Sequence, residues 1–416
     1  MMLLLIGVVL TGATQDTLAF SLDKAVARGL AVSPMVAAAD GAIAAPRGSR
    51  AEAFWPFPTN PVLEVSRVHR SAPGAASRDR SFTIRQEIQI GGQNFLRASA
   101  ANWRIRSAEA IGADTRRVTA LELRLAYTRL ELTDQRATLM DTTALFAERL
   151  AEVVRVRLVA GEVNLLEHNA AVLEAARQRS AAERARAERA GASADLAALL
   201  ALPVEVQPRT GGLPALPTSA TPAMERLVSR AFAVRPDYLA AQATVSASRQ
   251  ALTAATLEGW VPNLLVGGII GQEAGQDDLN GVSLGLSIPL FRRNQASRGA
   301  ARADQSLAEA NLVRTQRTIR AEVEAARARY TRAREAARRF AAEVLQAASE
   351  NVRLTERAFQ EGKVGIADVV VLRSTAIATQ LEYLEVLADA YSGWFMLAAA
   401  IGDDPVALTD FAGDWQ

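Results

Sequence analysis

Apolar residues recur every seven positions through two long stretches of the chain. Leu125, Leu132, Leu139, Phe146 and Val153 form one column. Leu312, Ile319, Ala326, Ala333, Phe340, Ala347 and Leu354 form the other. Charged residues such as Arg314, Arg317, Glu322, Glu324 and Arg327 fill the positions between. A seam this regular predicts long helices packed as in a coiled coil rather than a rounded core. If continuous, the run from Arg293 to Arg357 makes a helix about 100 Å long at 1.5 Å per residue. Alanine supplies much of the apolar content, so neighbouring helices can approach closely.

In four shorter stretches the period drops to two. SFTIRQEIQI sets Phe82, Ile84, Ile88 and Ile90 on one face and Ser81, Thr83, Arg85, Glu87 and Gln89 on the other. GVSLGLSIPL sets Val282, Leu284, Leu286, Ile288 and Leu290 opposite Ser283, Gly285 and Ser287. NPVLEVSRVHR from Asn60 and PNLLVGGIIG from Pro262 are their partners. Each is about ten residues long, the span of a tilted β-strand crossing a bilayer. Aromatic residues gather at the strand ends: Phe54, Trp55, Phe57 and Phe95 in one half, Trp260 and Phe291 in the other. That arrangement fits an interfacial girdle. Alternation alone equally describes two ordinary hairpins packed on helices. Duplication, girdle and an export signal together favour the membrane.

The duplication is visible by offset. Pro34 and Pro236 are 202 apart, Gly161 and Gly362 are 201 apart, and Trp55 and Trp260 are 205 apart. Each half runs helix, two strands, very long helix, glycine-containing break, long helix. The breaks read GEVNLLEHNA from Gly161 and EGKVGIADVV from Glu361. The expected organisation is a first repeat over 20–202 with its hairpin near 58–92. A Pro/Gly linker follows over 203–222, then a second repeat over 223–402 with its hairpin near 261–291, and a tail over 403–416. The prolines and the Gly-Gly pair of the linker argue against helix there.

Residues 1–19 resemble a secretory signal peptide, apolar from Met2 to Leu10 and cleaved after Ala19, although no Lys or Arg precedes Lys24. No later stretch holds 18 consecutive apolar residues, so no transmembrane helix is expected after it. There are 47 basic and 45 acidic residues. The arginines interleave with glutamates along helices, which argues against a nucleic-acid partner. The absence of cysteine removes disulfides, thiolate metal sites, cysteine nucleophiles and lipidation through cysteine.

Open strand edges are not tolerated in lipid, and four strands are too few to close a barrel. Membrane insertion therefore requires several chains to pool strands. The charged helices must then project into water. At this point the sequence resembles the outer-membrane efflux factor family of TolC type. The resemblance rests on the duplicated plan, on QEIQIGGQNFLRASAA at Gln86–Ala101, on SIPLFRRNQASRGAARA at Ser287–Ala303, and on the break from Gly362 to Asp368. The IPLFRRNQ wording is most similar to the heavy-metal-efflux branch.

The resemblance implies a mainly α chain with a small β part. Its long helices build a periplasmic α-helical barrel, and four transmembrane strands per chain join a twelve-stranded β-barrel shared by a homotrimer. It implies docking on a periplasmic adaptor protein and an inner-membrane pump of the resistance-nodulation-division type. The helix breaks then lie at the periplasmic tip, with Gly161, Gly362, Lys363 and Gly365 at the turns and in the adaptor contact. Asp368 matches the first of two acidic positions that ring the pore; the second is Val371 here. Glu167 holds the equivalent place in the first repeat. A ring of Asp368 carboxylates would draw cations. Asp368 equally suits a helix start, where the dipole favours a carboxylate. Trp55, Phe57, Phe95, Trp260 and Phe291 would mark the membrane interface.

No catalytic motif is present: there is no GxSxG, Walker loop or HExxH. Glu167 and His168 form an incomplete metal set, and the methionines are scattered, so neither a metal site nor a cofactor is expected. The function expected is a passive exit duct in a tripartite efflux pump, for small solutes and heavy-metal cations in particular. A type I secretion channel or a drug efflux duct has the same plan. A soluble coiled-coil scaffold is the competing reading of another class.

Overall fold

A computed structural model describes residues 16–72, 75–218, 220–273, 277–361 and 363–403. Gly362, residues 1–15 of the expected leader and the tail from 404 lie outside the described residues, as do parts of both hairpin tips. The chain is mainly helical with a four-stranded antiparallel sheet, as the duplicated pattern predicts.

In chain order the elements are β1 (Asp16–Phe20), α1 (Leu22–Val32), α2 (Pro34–Gly41), α3 (Ala44–Phe54), β2 (Val62–Ala72), β3 (Ala75–Gln89), α4 (Gln93–Val159) and α5 (Leu165–Leu199). The second half holds β4 (Val206–Thr210), α6 (Met224–Val234), α7 (Pro236–Glu258), β5 (Asn263–Glu273) and β6 (Asp277–Ser287), then α8 (Gln295–Arg339), α9 (Leu345–Gln360) and α10 (Ile366–Ile401). Helix α4 has 67 residues, about 100 Å at 1.5 Å per residue.

Two compact units share these elements. One takes the chain up to Ala37, Thr115–Arg235 and from Ile319 onward. In it α1, α4 and α5 close around Ala25, Val26, Leu123, Tyr127, Leu130, Leu196 and Leu200. Gly29 is required there, because a Cβ would come within 2.4 Å of the Leu123 side chain. Farther along, Ala137, Met140 and Ala144 meet Ala182 and Ala185.

The buried column of α4 is therefore not the one that the heptad of large residues names. Leu123, Leu130, Ala137 and Ala144 are buried, whereas of the heptad column only Leu132 is buried, Val153 is exposed, and Leu125, Leu139 and Phe146 are half-buried. Close antiparallel packing selects small residues at the point of nearest approach, and hydrophobicity alone does not mark that point. In α8 the buried column is Ile319, Val323, Tyr330 and Ala337.

The run from Arg293 is not one uninterrupted α-helix. A π-helical turn at Phe340–Val344 separates α8 from α9. The proline-rich linker is likewise not wholly irregular. Its β4 pairs in parallel with β1, from Asp16 opposite Val206 to Phe20 opposite Thr210. The Tyr127 hydroxyl secures this pair: it donates to the Phe20 carbonyl at 2.9 Å and accepts from the Gly211 amide at 2.8 Å. A cleavage after Ala19 would remove four of the five residues of β1.

Helix α10 is long and apolar enough to cross a membrane by length and composition. Its apolar window is 56% buried within the chain. Trp394, Phe395, Leu397, Ala398 and Ile401 are core residues, as are Leu227 and Ala231 of the adjacent α6. The α10 terminus is closed by Gly402 at φ +81, and Asp403 N–H donates to the Ala398 carbonyl at 3.0 Å. Arg235, only 2% exposed, adds a second cap. It donates to the Ala400 carbonyl at 2.9 Å and to Glu322 Oε2 at 2.7 Å.

The other unit takes Ala38–Asp114 and Pro236–Thr318 and contains both hairpins. Strand order is β2-β3-β5-β6, every neighbour antiparallel. The central β3–β5 pairing, from Arg80 opposite Gln272 to Gln89 opposite Asn263, joins the two repeats into one sheet.

Candidate functional site

Two places combine special backbone geometry with exposed residues: the helix reversals and the sheet. At the first reversal α4 ends in a Schellman turn. Gly161 adopts φ +77, its amide donates to the Leu158 carbonyl at 3.0 Å, and the Glu162 amide reaches back to Arg157 at 3.0 Å. Glycine suits this left-handed position because it has no Cβ to strain. Asn164 then caps α5: its Oδ1 accepts the Glu167 amide at 2.9 Å, and its Nδ2 donates to Glu167 Oε1 at 3.1 Å.

The second reversal shares two features of the first, 201 residues later. The Lys363 amide donates to the Ala358 carbonyl at 2.9 Å, the counterpart of Glu162 to Arg157. Gly365 stands at the cap of α10, where its amide donates to Asp368 Oδ2 at 3.0 Å. Glu167 and Asp368 are thus each the third residue of a helix, where the dipole favours negative charge. Both side chains are exposed. Lys363 pairs with Glu361 at 2.7 Å, and Arg157 lies 3.8 Å from Glu162. Around the first reversal Val159, Leu165 and Leu166 are large, apolar and exposed; around the second, Val371 is.

In the sheet, successive residues divide the two faces. Leu63, Val65, Phe82, Ile84, Ile270, Val282, Leu284 and Leu286 share one face and are exposed. The other face carries Glu64, Ser66, Thr83, Arg85 and Ser283, with Arg85 and Glu64 paired at 3.2 Å, alongside exposed Val62, Val68, Leu265 and Leu279. The outer edges, β2 and β6, each lack a second neighbour among the described residues. The aromatics gather beyond the ends of the strands: Trp55 stacks on Phe57 at 6.3 Å, and Arg293 stands 5.1 Å from the Trp260 ring. Phe95 and Phe291 are 75% and 91% exposed, although each is a large apolar side chain.

The strand-to-helix corners explain two of the motifs. In QEIQIGGQ, buried Gln93 accepts the Gly91 amide at 3.0 Å. In FRRNQ, Gln295 accepts the Arg293 amide at 2.9 Å. Asn294, at φ +54, donates to Glu258 at 3.1 Å, and Arg97 pairs with Glu258 at 3.3 Å. A Cβ on Gly259 would lie 2.4 Å from the Arg293 carbonyl oxygen. These motif residues set the angle at which strand becomes helix. The sequence marks these motifs but not their corner bonds, and nothing in it marks Tyr127, Arg235 or the β1–β4 pair.

Among the described residues no group of three His, Cys, Asp or Glu side chains could hold a metal ion. Asp368 and Glu167 occur in equivalent but separate helix starts; within one chain they share no hydrogen bond among the described residues.

Residues 227–403 match a family model described as outer membrane efflux protein. The chain is 27% identical over 330 residues to the nickel-cobalt-cadmium resistance protein NccC of Alcaligenes xylosoxydans xylosoxydans, covering 76% of this chain and 71% of that one. It superposes on CusC with a TM-score of 0.77 at 17% identity, over 92% of each chain. A Pseudomonas aeruginosa membrane protein gives 0.76 at 19% identity, over 92% of this chain and 90% of that one. The open-state MtrE outer membrane channel of Neisseria gonorrhoeae gives 0.76 at 16% identity, over 92% and 89%. The fold is that of outer-membrane channels with a long helical region.

Proposed function

We propose that the chain is the outer-membrane component of a tripartite efflux system: a homotrimeric, non-enzymatic exit duct for small solutes, in particular heavy-metal cations. The observation that carries this reading is the sheet. It has an exposed apolar face, an opposite face that carries the charged and hydroxyl residues together with a few apolar ones, and two open edges among the described residues. In lipid an open edge leaves backbone groups unsatisfied at several kcal/mol each, so the edges demand strands from other copies. Three chains contribute twelve strands, and the polar face then lines the lumen. Trp55, Phe57, Phe95, Trp260 and Phe291 sit at the periplasmic boundary of the bilayer as its aromatic girdle.

The helices lie in the periplasm, and their reversals meet an adaptor protein that links the duct to an inner-membrane pump of the resistance-nodulation-division type. Gly161, Gly362, Lys363 and Gly365 shape the docking tips. Exposed Val159, Leu165 and Leu166 support a protein contact there. Asp368 and Glu167 line the constriction and favour cations. The relative named for nickel, cobalt and cadmium resistance supports metal cations as cargo.

Deleting the gene and testing growth against metal ions and drugs tests the cargo. Sensitivity to divalent transition metals with unchanged drug tolerance is expected; unchanged metal tolerance would withdraw the metal assignment. Outer-membrane fractionation with a heat-modifiable trimer tests the duct itself. Recovery of the chain as a cytosolic scaffold would overturn it.

A further inference from the structure

The apolar face of the sheet does not stay apolar to the hairpin tips. Above Val65 and Phe82, the next two rows on that face place Arg67 directly opposite Arg80 and His69 directly opposite Arg78. All four side chains are exposed. Directly opposed side chains lie about 5 Å apart at Cβ, and like charges there are destabilising unless something neutralises them. Among the described residues no carboxylate pairs with any of them. The one carboxylate described in these rows, Asp278, lies two strands from Arg80 and accepts the Gln272 amide at 3.4 Å.

The opposite face makes the contrast. At the same height Arg70 is paired with both Asp79 at 2.8 Å and Glu273 at 2.9 Å, and lower down Arg85 is paired with Glu64. Arg70 and Arg85 on that face are paired within the chain, whereas Arg67, Arg78 and Arg80 on the apolar face have no carboxylate partner among the described residues.

Their height identifies the anion. From Ile90, beside the girdle end of β3, to Arg80 is about 34 Å along an extended strand. At a tilt of ~45° that is about 24 Å along the membrane normal, close to the roughly 25 Å apolar band of outer-membrane barrels. Arg67, Arg80, His69 and Arg78 therefore stand just outside the hydrocarbon, on the lipid-facing side, at the end away from the helices. We infer that they form a binding site for the phosphates of an outer-leaflet lipid headgroup, the phosphorylated sugar of a lipopolysaccharide, with its acyl chains lying on Leu63, Val65, Phe82 and Ile84. Arginine suits this task because its planar fork binds phosphate oxygens in pairs. The inference rests on the outer-membrane reading above.

The test uses the full chain as its detergent-solubilised trimer, with binding read by native mass spectrometry. The probes are bisphosphorylated lipid A, the same lipid fully dephosphorylated, and inorganic phosphate. Bisphosphorylated lipid A should bind the unaltered trimer at least tenfold more tightly than either other probe. The double variant Arg67→Gln/Arg80→Gln should lose roughly tenfold, and Arg85→Gln less than twofold. Equal binding of the dephosphorylated lipid, or of the double variant, would overturn the site. Inorganic phosphate binding as tightly as the lipid would overturn the lipid as its source. Should the double variant fail to assemble, the comparison of probes on the unaltered trimer still decides. Absence of any outer-membrane trimer would instead fail the outer-membrane reading first.

Discussion

The Asp368 carboxylate accepts the Gly365 amide proton at 3.0 Å, so the residue expected to face the pore is also the residue that starts helix α10. Glu167 bonds Asn164 in the equivalent turn 201 residues earlier. The two roles of Asp368 are separable, because an amide oxygen can replace the cap while removing the charge. Asp368→Asn should lower cation selectivity in planar-bilayer recordings with little change in thermal stability. Asp368→Ala should lose both selectivity and about 1 kcal/mol of stability. Unchanged selectivity in both variants would leave Asp368 as a cap alone.

The Gly161 conformation, φ +77, makes a second prediction. A left-handed backbone costs a non-glycine residue about 1–2 kcal/mol, and proline also lacks the amide that bonds Leu158. Gly161→Pro should abolish resistance while leaving a heat-modifiable trimer, because the sheet belongs to the other unit. The equivalent change, Gly362→Pro, should do the same. Normal resistance in either variant would remove the turns from the docking role.

Three buried tyrosines predict alkaline sensitivity. Burial raises the phenols of Tyr127, Tyr330 and Tyr391 above their ordinary value near 10. Above pH 10 the unfolded chain releases protons that the folded chain holds, so stability falls as pH rises. Below that range these groups contribute no pH dependence. Tm measured from pH 8 to 11 should be flat up to pH 10 and then drop.

The same tyrosines differ in bonding. Tyr127→Phe removes the bonds to Phe20 and Gly211 and should cost about 1 kcal/mol. The Tyr330 hydroxyl is buried with the Arg334 side chain as its polar neighbour, the guanidinium 5.5 Å from its ring centroid, and among the described residues it bonds no backbone group as Tyr127 does. Tyr330→Phe should therefore be neutral or stabilising, and it should lessen the alkaline drop. Equal loss in both variants by thermal denaturation would contradict this assignment.

The pairing of β1 with β4 bears on processing. Asp16–Phe20 makes a residue-by-residue parallel ladder with Val206–Thr210. A mature chain that keeps this ladder begins at or before Asp16, upstream of the cleavage expected after Ala19. Intact-mass measurement of the exported protein should give a terminus there. A terminus at Phe20 would mean that the ladder is not part of the mature fold.

Periodicity alone determined that the chain holds very long helices, four alternating strands and two equivalent reversals. Those features are local: a seven-residue repeat, a two-residue repeat and glycine at a left-handed turn are each written in neighbouring residues. EGKVGIADVV and GEVNLLEHNA could be recognised as equivalent because glycine and a helix-start carboxylate recur at the same spacing. Other features depended on residues far apart in sequence, and only the tertiary structure decided them. It paired β3 with β5 across the two repeats, and β1 with β4 across nearly the whole first one. It chose the column of Leu123, Leu130, Ala137 and Ala144 of α4 for the tight seam rather than that of Leu125, Leu139, Phe146 and Val153, because closest approach is set by the partner helix. It also set Arg67 opposite Arg80, because register is a property of two strands together. Neither strand alone shows that three arginines with no carboxylate partner among the described residues would stand beside one another and His69.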